Sequence, residues 1–97
     1  MQLNIVGRSL EITPALKTFT EEKFQRLNKL SQHISTVHIA LFVEHLDQIA
    51  EATVHLNGKE FYAKATALVM YDAIEALVDK LVSQLVKHKE KIIDDHR

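Results

Sequence analysis

Four stretches of the chain alternate apolar and polar residues with the period of two that is typical of a half-buried β-strand. They cover residues 3–5, 37–43, 50–56 and 61–65. Gly7 follows the first stretch, and the pair Asn57-Gly58 separates the last two. Because asparagine and glycine tolerate positive φ angles, this pair predicts a two-residue type I′ turn. The chain is therefore expected to contain four strands, of which the last two form a β-hairpin.

Two further stretches have the 3.6-residue periodicity of amphipathic helices. The first begins at Thr13-Pro14, which combines an N-cap residue with a proline at the first helical position. Its apolar face continues as far as Leu30. The second helix is predicted over residues 70–92, which contain no proline or glycine. Its apolar face comprises Ile74, Leu77, Val78, Leu81, Leu85 and Ile92.

The predicted order of elements is β-α-β-β-β-α. Since each helix has one apolar stripe, the sequence predicts a two-layer α+β sandwich, in which both helices cover one face of a four-stranded sheet. The helix between the first two strands favours a parallel, right-handed crossover, and short turns make the remaining strand pairs antiparallel. The other sheet face is left open. No linker, repeat or low-complexity segment divides the sequence, so residues 1–97 are expected to form a single domain.

The composition narrows the possible functional classes. The 97 residues include no cysteine, which excludes disulfides, thiol catalysis and cysteine-based metal sites. No apolar run approaches the length of a bilayer-spanning helix, and the first residues have neither the basic nor the apolar region of a secretory signal peptide. We therefore expect a cytoplasmic protein that does not associate with membranes.

Charge is unevenly distributed, although the formal net charge is −1. Residues 1–31 carry five basic and three acidic side chains, and residues 80–97 carry the same numbers. Residues 32–79 carry two basic and seven acidic side chains. Such an asymmetry permits a basic surface on a nearly neutral protein.

The second predicted helix separates its bases from its acids. At about 100° per residue, Lys80, Lys87 and Lys91 share one flank with Gln84, whereas the acidic residues lie beyond this flank. Lys89 falls on the far edge of the apolar arc and does not belong to the same stripe. The spacing of successive turns suits contacts with successive phosphates.

The first predicted helix carries a second series of bases. Lys23 falls near the middle of the apolar arc, and Arg26 and Lys29 continue along one flank. If the helices lie side by side, their basic flanks are expected to form the two sides of a phosphate-binding groove. The alternative interpretation is two ordinary solvated helix faces, because lysines commonly border an apolar stripe.

The outer face of the predicted sheet offers different chemistry. The alternation places His38, His55 and Tyr62 on this face, where they would support a metal-assisted enzyme if strand register brings them together. Their spacing matches no zinc-binding motif, and solvent-facing histidines are the simpler interpretation. Phe42 and Tyr62 on the same face are suited either to stacking on bases or to filling space between strands. A protein–protein adaptor that uses the open sheet face is a further alternative.

Several separated motifs resemble one protein family across nearly the whole chain. The similarity is carried by Met1-Gln2-Leu3-Asn4-Ile5, Glu11-Ile12-Thr13-Pro14-Ala15-Leu16, Lys23-Phe24, Leu27, Ala52-Thr53-Val54-His55-Leu56-Asn57-Gly58, Met70-Tyr71-Asp72-Ala73-Ile74, Asp79-Lys80-Leu81, Gln84-Leu85 and Lys87-His88-Lys89. In these motifs the chain resembles the ribosome hibernation promoting factor family. Its length is similar to that of the short, protein Y-like form, without the additional dimerisation domain of long forms.

The resemblance implies a single ribosome-binding domain with a fold reminiscent of double-stranded RNA-binding domains. It implies a stress and stationary-phase factor that is not an enzyme, has no cofactor or metal, and is a monomer when free. Such a factor binds the 30S subunit of 70S ribosomes where mRNA and tRNA would lie, and blocks translation. With ribosome modulation factor as partner, it promotes 100S dimers. The residues that correspond to contacts with 16S rRNA are Lys23, Arg26, Lys29, Lys80, Lys87, Lys89 and Lys91.

One departure from the family pattern affects the second helix. Family members often have an acidic residue and an aspartate before the Met-Tyr pair, whereas this chain has Leu68-Val69 before Met70. The helix therefore lacks the expected N-cap, and the sequence leaves its first residue open.

Overall fold

The computed structural model describes the backbone of residues 1–95 and the side chains of residues 1–89. The order of elements is β-α-β-β-β-α, as predicted. The strands are β1 (Gln2–Gly7), β2 (Ile34–Glu44), β3 (Asp47–Leu56) and β4 (Lys59–Ala67), and the helices are α1 (Pro14–Leu30) and α2 (Met70–Asp95). No helix of the described residues is both long enough and apolar enough to cross a lipid bilayer.

The strands form one mixed sheet in the order β1-β2-β3-β4. β1 is parallel to β2, and the other two pairs are antiparallel, which confirms the predicted topology. The β3–β4 turn consists of Asn57 and Gly58 with φ angles of 50° and 77°, as a type I′ turn requires. The β2–β3 turn is equally short and also contains a residue with positive φ, His45 at 57°.

Both helices pack on the same face of the sheet, as predicted. Phe24 and Leu27 of α1 are fully buried, as are Ile74, Leu77 and Leu81 of α2. They form one core cluster with the inward-facing side chains of β2, β3 and β4. Each large apolar side chain buried in this way contributes about 1.5–3 kcal/mol. The core is therefore the layer between helices and sheet, and the opposite sheet face is open.

Local hydrogen bonds position α1. The Thr13 side-chain oxygen accepts a hydrogen bond from the Leu16 N–H at 3.2 Å, and Pro14 occupies the first helical position. Both features confirm the predicted N-terminus. At the other end, the Ser31 N–H donates to the Leu27 carbonyl at 3.3 Å, and the extended backbone of Ser31 ends the helix.

Helix α2 begins at Met70 although a polar capping residue is absent from the preceding pair. Met70 is buried, whereas Leu68 is 81% exposed, so the apolar contact of the first helical residue marks the boundary. The Ala73 N–H donates to the Val69 carbonyl at 3.1 Å and closes the first turn. The first residue of α2, which the sequence left open, is thus determined by packing of Met70 rather than by an N-cap.

The end of β2 departs from simple alternation. Val43, in phase with the buried residues of this strand, is 42% exposed, whereas Phe42 on the outer face is 9% exposed. Val43 lies next to the β2–β3 turn and outside the core cluster. Phe42 is covered because the Arg8 guanidinium carbon lies 4.0 Å from its ring centroid and Ile49 is paired with it across the sheet.

Candidate nucleic-acid interface

The two flanks of α2 face different neighbours and carry opposite charges. Glu75 and Asp79 lie on the flank that meets α1. Lys80 and Gln84 lie on the flank that meets β4. The separation of acids from bases that the helical periodicity predicts is therefore present in the structure, and each flank has a defined partner.

Two ion pairs and one aromatic contact join α1 to α2. The Lys23 Nζ lies 2.8 Å from the Glu75 Oε1, and the Arg26 Nη1 lies 2.6 Å from the Asp79 Oδ1. All four side chains are partly exposed, so solvent weakens each pair. Nearer the start of both helices, the rings of Phe19 and Tyr71 meet edge to face with centroids 4.7 Å apart. The helices consequently run side by side in the same direction.

The prediction of a groove with basic side chains on both sides is wrong. The flank of α2 that lies beside α1 is acidic, and its carboxylates bind the bases of α1. The basic stripe of α2 lies on the opposite side, above β4. Helical periodicity assigned each charge to a flank, but it did not determine which flank turns towards the neighbouring helix.

Lys80 and Gln84 cover the free edge of the sheet. The Lys80 Nζ donates to the Lys64 carbonyl at 2.6 Å, and the Gln84 Nε2 donates to the Tyr62 carbonyl at 2.8 Å. Tyr62 and Lys64 are two residues apart, so their carbonyls point to the same edge of β4. Because a carbonyl carries no net charge, Lys80 stays a cation that can also meet an anion.

Three of the remaining predicted cations, Lys29, Lys87 and Lys89, are exposed on the helix layer. Lys87 lies beside Phe61 and His88, whose ring centroids are 5.1 Å apart. Lys89 lies at the rim of a largely apolar cavity of about 460 Å³ between the end of α1, the β3–β4 turn and α2. Lys29 is exposed near the end of α1. Lys91 lies outside the described side chains.

The residues proposed for metal or acid–base chemistry do share the outer sheet face, as predicted. The rings of His38 and His55 meet edge to face with centroids 5.3 Å apart. The His38 Nδ1 lies 3.3 Å from the Asn4 amide nitrogen, and the His55 Nδ1 lies 3.5 Å from a Glu60 oxygen. Among the described side chains, no three or more histidines and carboxylates converge as a metal site would require.

Glu51 organises the centre of this outer face. Its carboxylate forms an ion pair with Arg8 and accepts a hydrogen bond from the Tyr62 hydroxyl at 2.7 Å. The hydrogen bond is the largest of the effects that raise the pKa of Tyr62 above 10.0. Partial desolvation of the hydroxyl and the negative charge of Glu51 act in the same direction. Sequence reasoning missed Arg8 and Glu51. Continuing the alternation of β1 by two residues beyond Val6 would have placed Arg8 on this face.

The sequence placed Glu75 and Asp79 beyond the basic flank of the second helix, but their pairing with α1 was not predicted. Their spacing of four residues is close to the spacing of three between Lys23 and Arg26, so parallel helices bring both pairs together. This match of spacings was visible in the sequence. Predicting the ion pairs from it also required the relative direction and offset of the two helices, which sequence periodicity does not provide.

Residues 3–93 match the sequence model of the family described as Sigma 54 modulation protein / S30EA ribosomal protein. The chain belongs to this family. It is 49% identical over 92 residues to a protein of Klebsiella oxytoca named ribosome hibernation promoting factor, covering 95% of this chain and 97% of that protein. A protein of the same name from Azotobacter vinelandii is 47% identical over 94 residues, covering 97% of this chain and 88% of the relative.

Two similar solved structures have the same fold. A ribosomal subunit interface protein from Coxiella burnetii is 34% identical with a TM-score of 0.88, covering 93% of this chain and 99% of that one. The N-terminal domain of Thermus thermophilus protein Y is 28% identical with a TM-score of 0.83, covering 91% and 99% respectively. The resemblance inferred from the motifs is thereby confirmed, as is the predicted α+β fold.

Proposed function

We propose that this protein is a cytoplasmic ribosome hibernation factor that binds the 30S subunit at the mRNA and tRNA channel and blocks translation in stationary phase or stress. The observation that carries the proposal is the family match over residues 3–93, together with relatives of nearly the same length named ribosome hibernation promoting factor. The function is binding rather than catalysis. Residues 1–97 act as one ribosome-binding domain.

The helix layer supplies the chemistry for contact with 16S rRNA. Lys29, Lys80, Lys87 and Lys89 are exposed on it, and each can meet a phosphate oxygen. Lys23 and Arg26 lie on the same layer within their ion pairs. Lys91 completes the proposed set. Phosphate contacts of this kind fix the position of a protein on RNA and make its affinity depend on salt.

Inhibition follows from occupancy of the channel. The protein extends over 48 × 22 × 19 Å, which is large enough to exclude an RNA strand from a site that it fills. The block therefore requires one protein per subunit, consumes no nucleotide and is reversed when initiation components compete. The free protein is a monomer. Pairing of 70S particles into 100S dimers depends on ribosome modulation factor as a partner.

Cosedimentation with purified 30S subunits tests the proposal. At low salt we expect the protein to pellet with 30S subunits at one copy per subunit, and we expect rising salt to release it. A protein that stays in the supernatant with intact 30S subunits at low salt contradicts the proposed function.

A matched pair of charge reversals tests the interface. Lys87→Glu changes an exposed cation on the helix layer, whereas Lys59→Glu makes the same change beside the β3–β4 turn. We expect Lys87→Glu to weaken binding and to lower the slope of log affinity against log salt by about 0.7–0.9. Lys59→Glu should have a much smaller effect. Equal losses in the two variants argue against the helix layer as the binding surface.

A further inference from the structure

The cations of α1 differ in whether α2 supplies them with a counter-charge. Lys23 and Arg26 each contact a carboxylate of α2, at 2.8 Å and 2.6 Å. About one turn further along, α2 has Val82 and Ser83 in place of an acid. Lys29 accordingly has no carboxylate within 4.0 Å among the described side chains. The same helix thus presents two cations that are paired with acids of α2, and Lys29 and Lys17, for which the described side chains supply no such pair.

An RNA phosphate and a carboxylate compete for the same cation. Both are anionic oxygen acceptors of charge-assisted hydrogen bonds from lysine and arginine. A phosphate that approaches Arg26 gains its attraction to the guanidinium but is repelled by the adjacent Asp79 carboxylate. The pair as a whole is neutral, so it adds little to the electrostatic binding of a polyanion.

The exposure of the pairs makes this competition possible. The side chains of Arg26 and Asp79 are 50% and 65% exposed, and those of Lys23 and Glu75 are 37% and 51% exposed. Exposed pairs of this kind contribute little to the stability of the fold. The carboxylates therefore bind Lys23 and Arg26 weakly enough for an RNA phosphate to displace them. Removal of a carboxylate leaves the fold intact.

We propose that Glu75 and Asp79 are intramolecular competitors of RNA phosphate that restrain the affinity of the helix layer for RNA. The proposal rests on the proposed function and adds residues that oppose binding to those that promote it. These acids hold Lys23 and Arg26 in ion pairs that carry no net charge until a phosphate displaces the carboxylates. A factor that must leave its RNA site when conditions change gains reversibility from such a restraint.

Neutralising variants test this directly. We expect Glu75→Gln and Asp79→Asn each to tighten binding to a fluorescent RNA duplex of about 16 base pairs, by about two- to fivefold, since exposed ion pairs are worth up to about 1 kcal/mol. The salt slope should become steeper. Asp72→Asn removes the same charge from the first turn of α2, where no ion pair with a described side chain exists, and is the matched control. Circular dichroism verifies that each variant is folded.

A double-mutant cycle separates release of a particular cation from a general change in charge. We expect Arg26→Ala to weaken RNA binding at least threefold more in the Asp79→Asn background than in the wild type, because only there does the guanidinium attract phosphate without an adjacent carboxylate. Lys29→Ala should cost the same in both backgrounds. Equal costs of Arg26→Ala in the two backgrounds, or an Asp79→Asn variant that binds no more tightly than Asp72→Asn, would overturn the proposal.

Parallel measurements with 30S subunits keep the two proposals distinguishable. A wild-type protein that does not bind 30S subunits, combined with tighter RNA-duplex binding by Asp79→Asn, contradicts the proposed function and supports the competition. Normal 30S binding, combined with unchanged RNA affinities of Glu75→Gln and Asp79→Asn, supports the proposed function and contradicts the competition.

Discussion

The two glycines of the chain meet different backbone requirements. A Cβ atom added to Gly7 would collide with the backbone carbonyl of Leu10, so the segment that follows β1 can turn back only over a residue without a side chain. Gly58 has open space around the position of a Cβ, but its φ angle of 77° is one that L-residues rarely adopt. The first requirement is steric, and the second is conformational.

Alanine substitutions of these glycines should therefore differ in cost. We expect Gly7→Ala to lower the free energy of unfolding by about 3 kcal/mol, because backbone has to move to relieve the overlap. Gly58→Ala should cost about 1 kcal/mol, the penalty of a left-handed conformation. Urea unfolding monitored by circular dichroism measures both. A Gly58→Ala variant that is the less stable of the two contradicts this ranking.

Tyr62 provides a pH-dependent prediction at the same scale. Its hydroxyl must keep its proton to donate to Glu51, so the hydrogen bond raises the pKa in the folded state above the ordinary value of 10.0. The associated stability is complete below pH 10 and is lost as the pH rises through the raised pKa. In an NMR titration of the tyrosine ring carbons, Glu51→Gln should move the Tyr62 midpoint to lower pH.

Tyr71 is the internal control for that substitution. It packs against Phe19 in the helix layer, on the side of the sheet opposite Glu51. At neutral pH its ring resonances should be the same in the wild type and in Glu51→Gln, which shows that the substitution acts locally. A Tyr62 midpoint that is unaffected by the substitution would show that the hydrogen bond does not contribute in solution.

At the scale of elements, local signals explain most of what the sequence predicted. Alternation located the strands, and Thr13-Pro14 and Asn57-Gly58 located a helix start and a turn, because each depends on residues a few positions apart. The start of α2 was left open because burial of Met70 defines it. Burial depends on the assembled core, which lies beyond any local pattern.

The N-cap of α1 gives a prediction for an element. Thr13→Ala removes the acceptor of the Leu16 N–H and should lower the free energy of unfolding by about 1 kcal/mol. Thr18→Ala is the matched control, since Thr18 is exposed within the same helix and alanine is the better helix former. Urea unfolding should show Thr18→Ala unchanged or slightly more stable. Similar losses in both variants would mean that the cap does not determine the helix start.

At the scale of the whole molecule, the positions of the candidate cations along the helices were predictable from the sequence, but the surface that they form was not. Periodicity selected Lys23, Arg26 and Lys80 and assigned each to the flank of a helix. The pairing of Arg26 with Asp79 and the position of Lys80 above β4 depend on how α1 and α2 are offset and rotated. Those quantities are fixed by packing among distant parts of the chain, so the predicted groove was wrong although its members were correctly placed on the helices.

The proposed steric block gives a prediction for the intact molecule. Titration of 30S subunits should displace bound tRNA in proportion to occupancy and reach completion at one protein per subunit, because one body fills the site. Filter binding of labelled tRNA, compared with cosedimentation of the protein, measures both quantities. If tRNA stays bound at saturation, the protein occupies a different site.

The order of strands in the sheet is the same as their order along the chain. Two short turns connect β2, β3 and β4, so this meander forms through contacts that are close in sequence and have a small entropy of loop closure. The pairing of Leu3 with Val37 must instead span the whole of α1. During folding the meander is therefore expected to assemble before β1 pairs with it. Of the four strands, β1 leaves the translating ribosome first, yet it is the last to pair within the sheet.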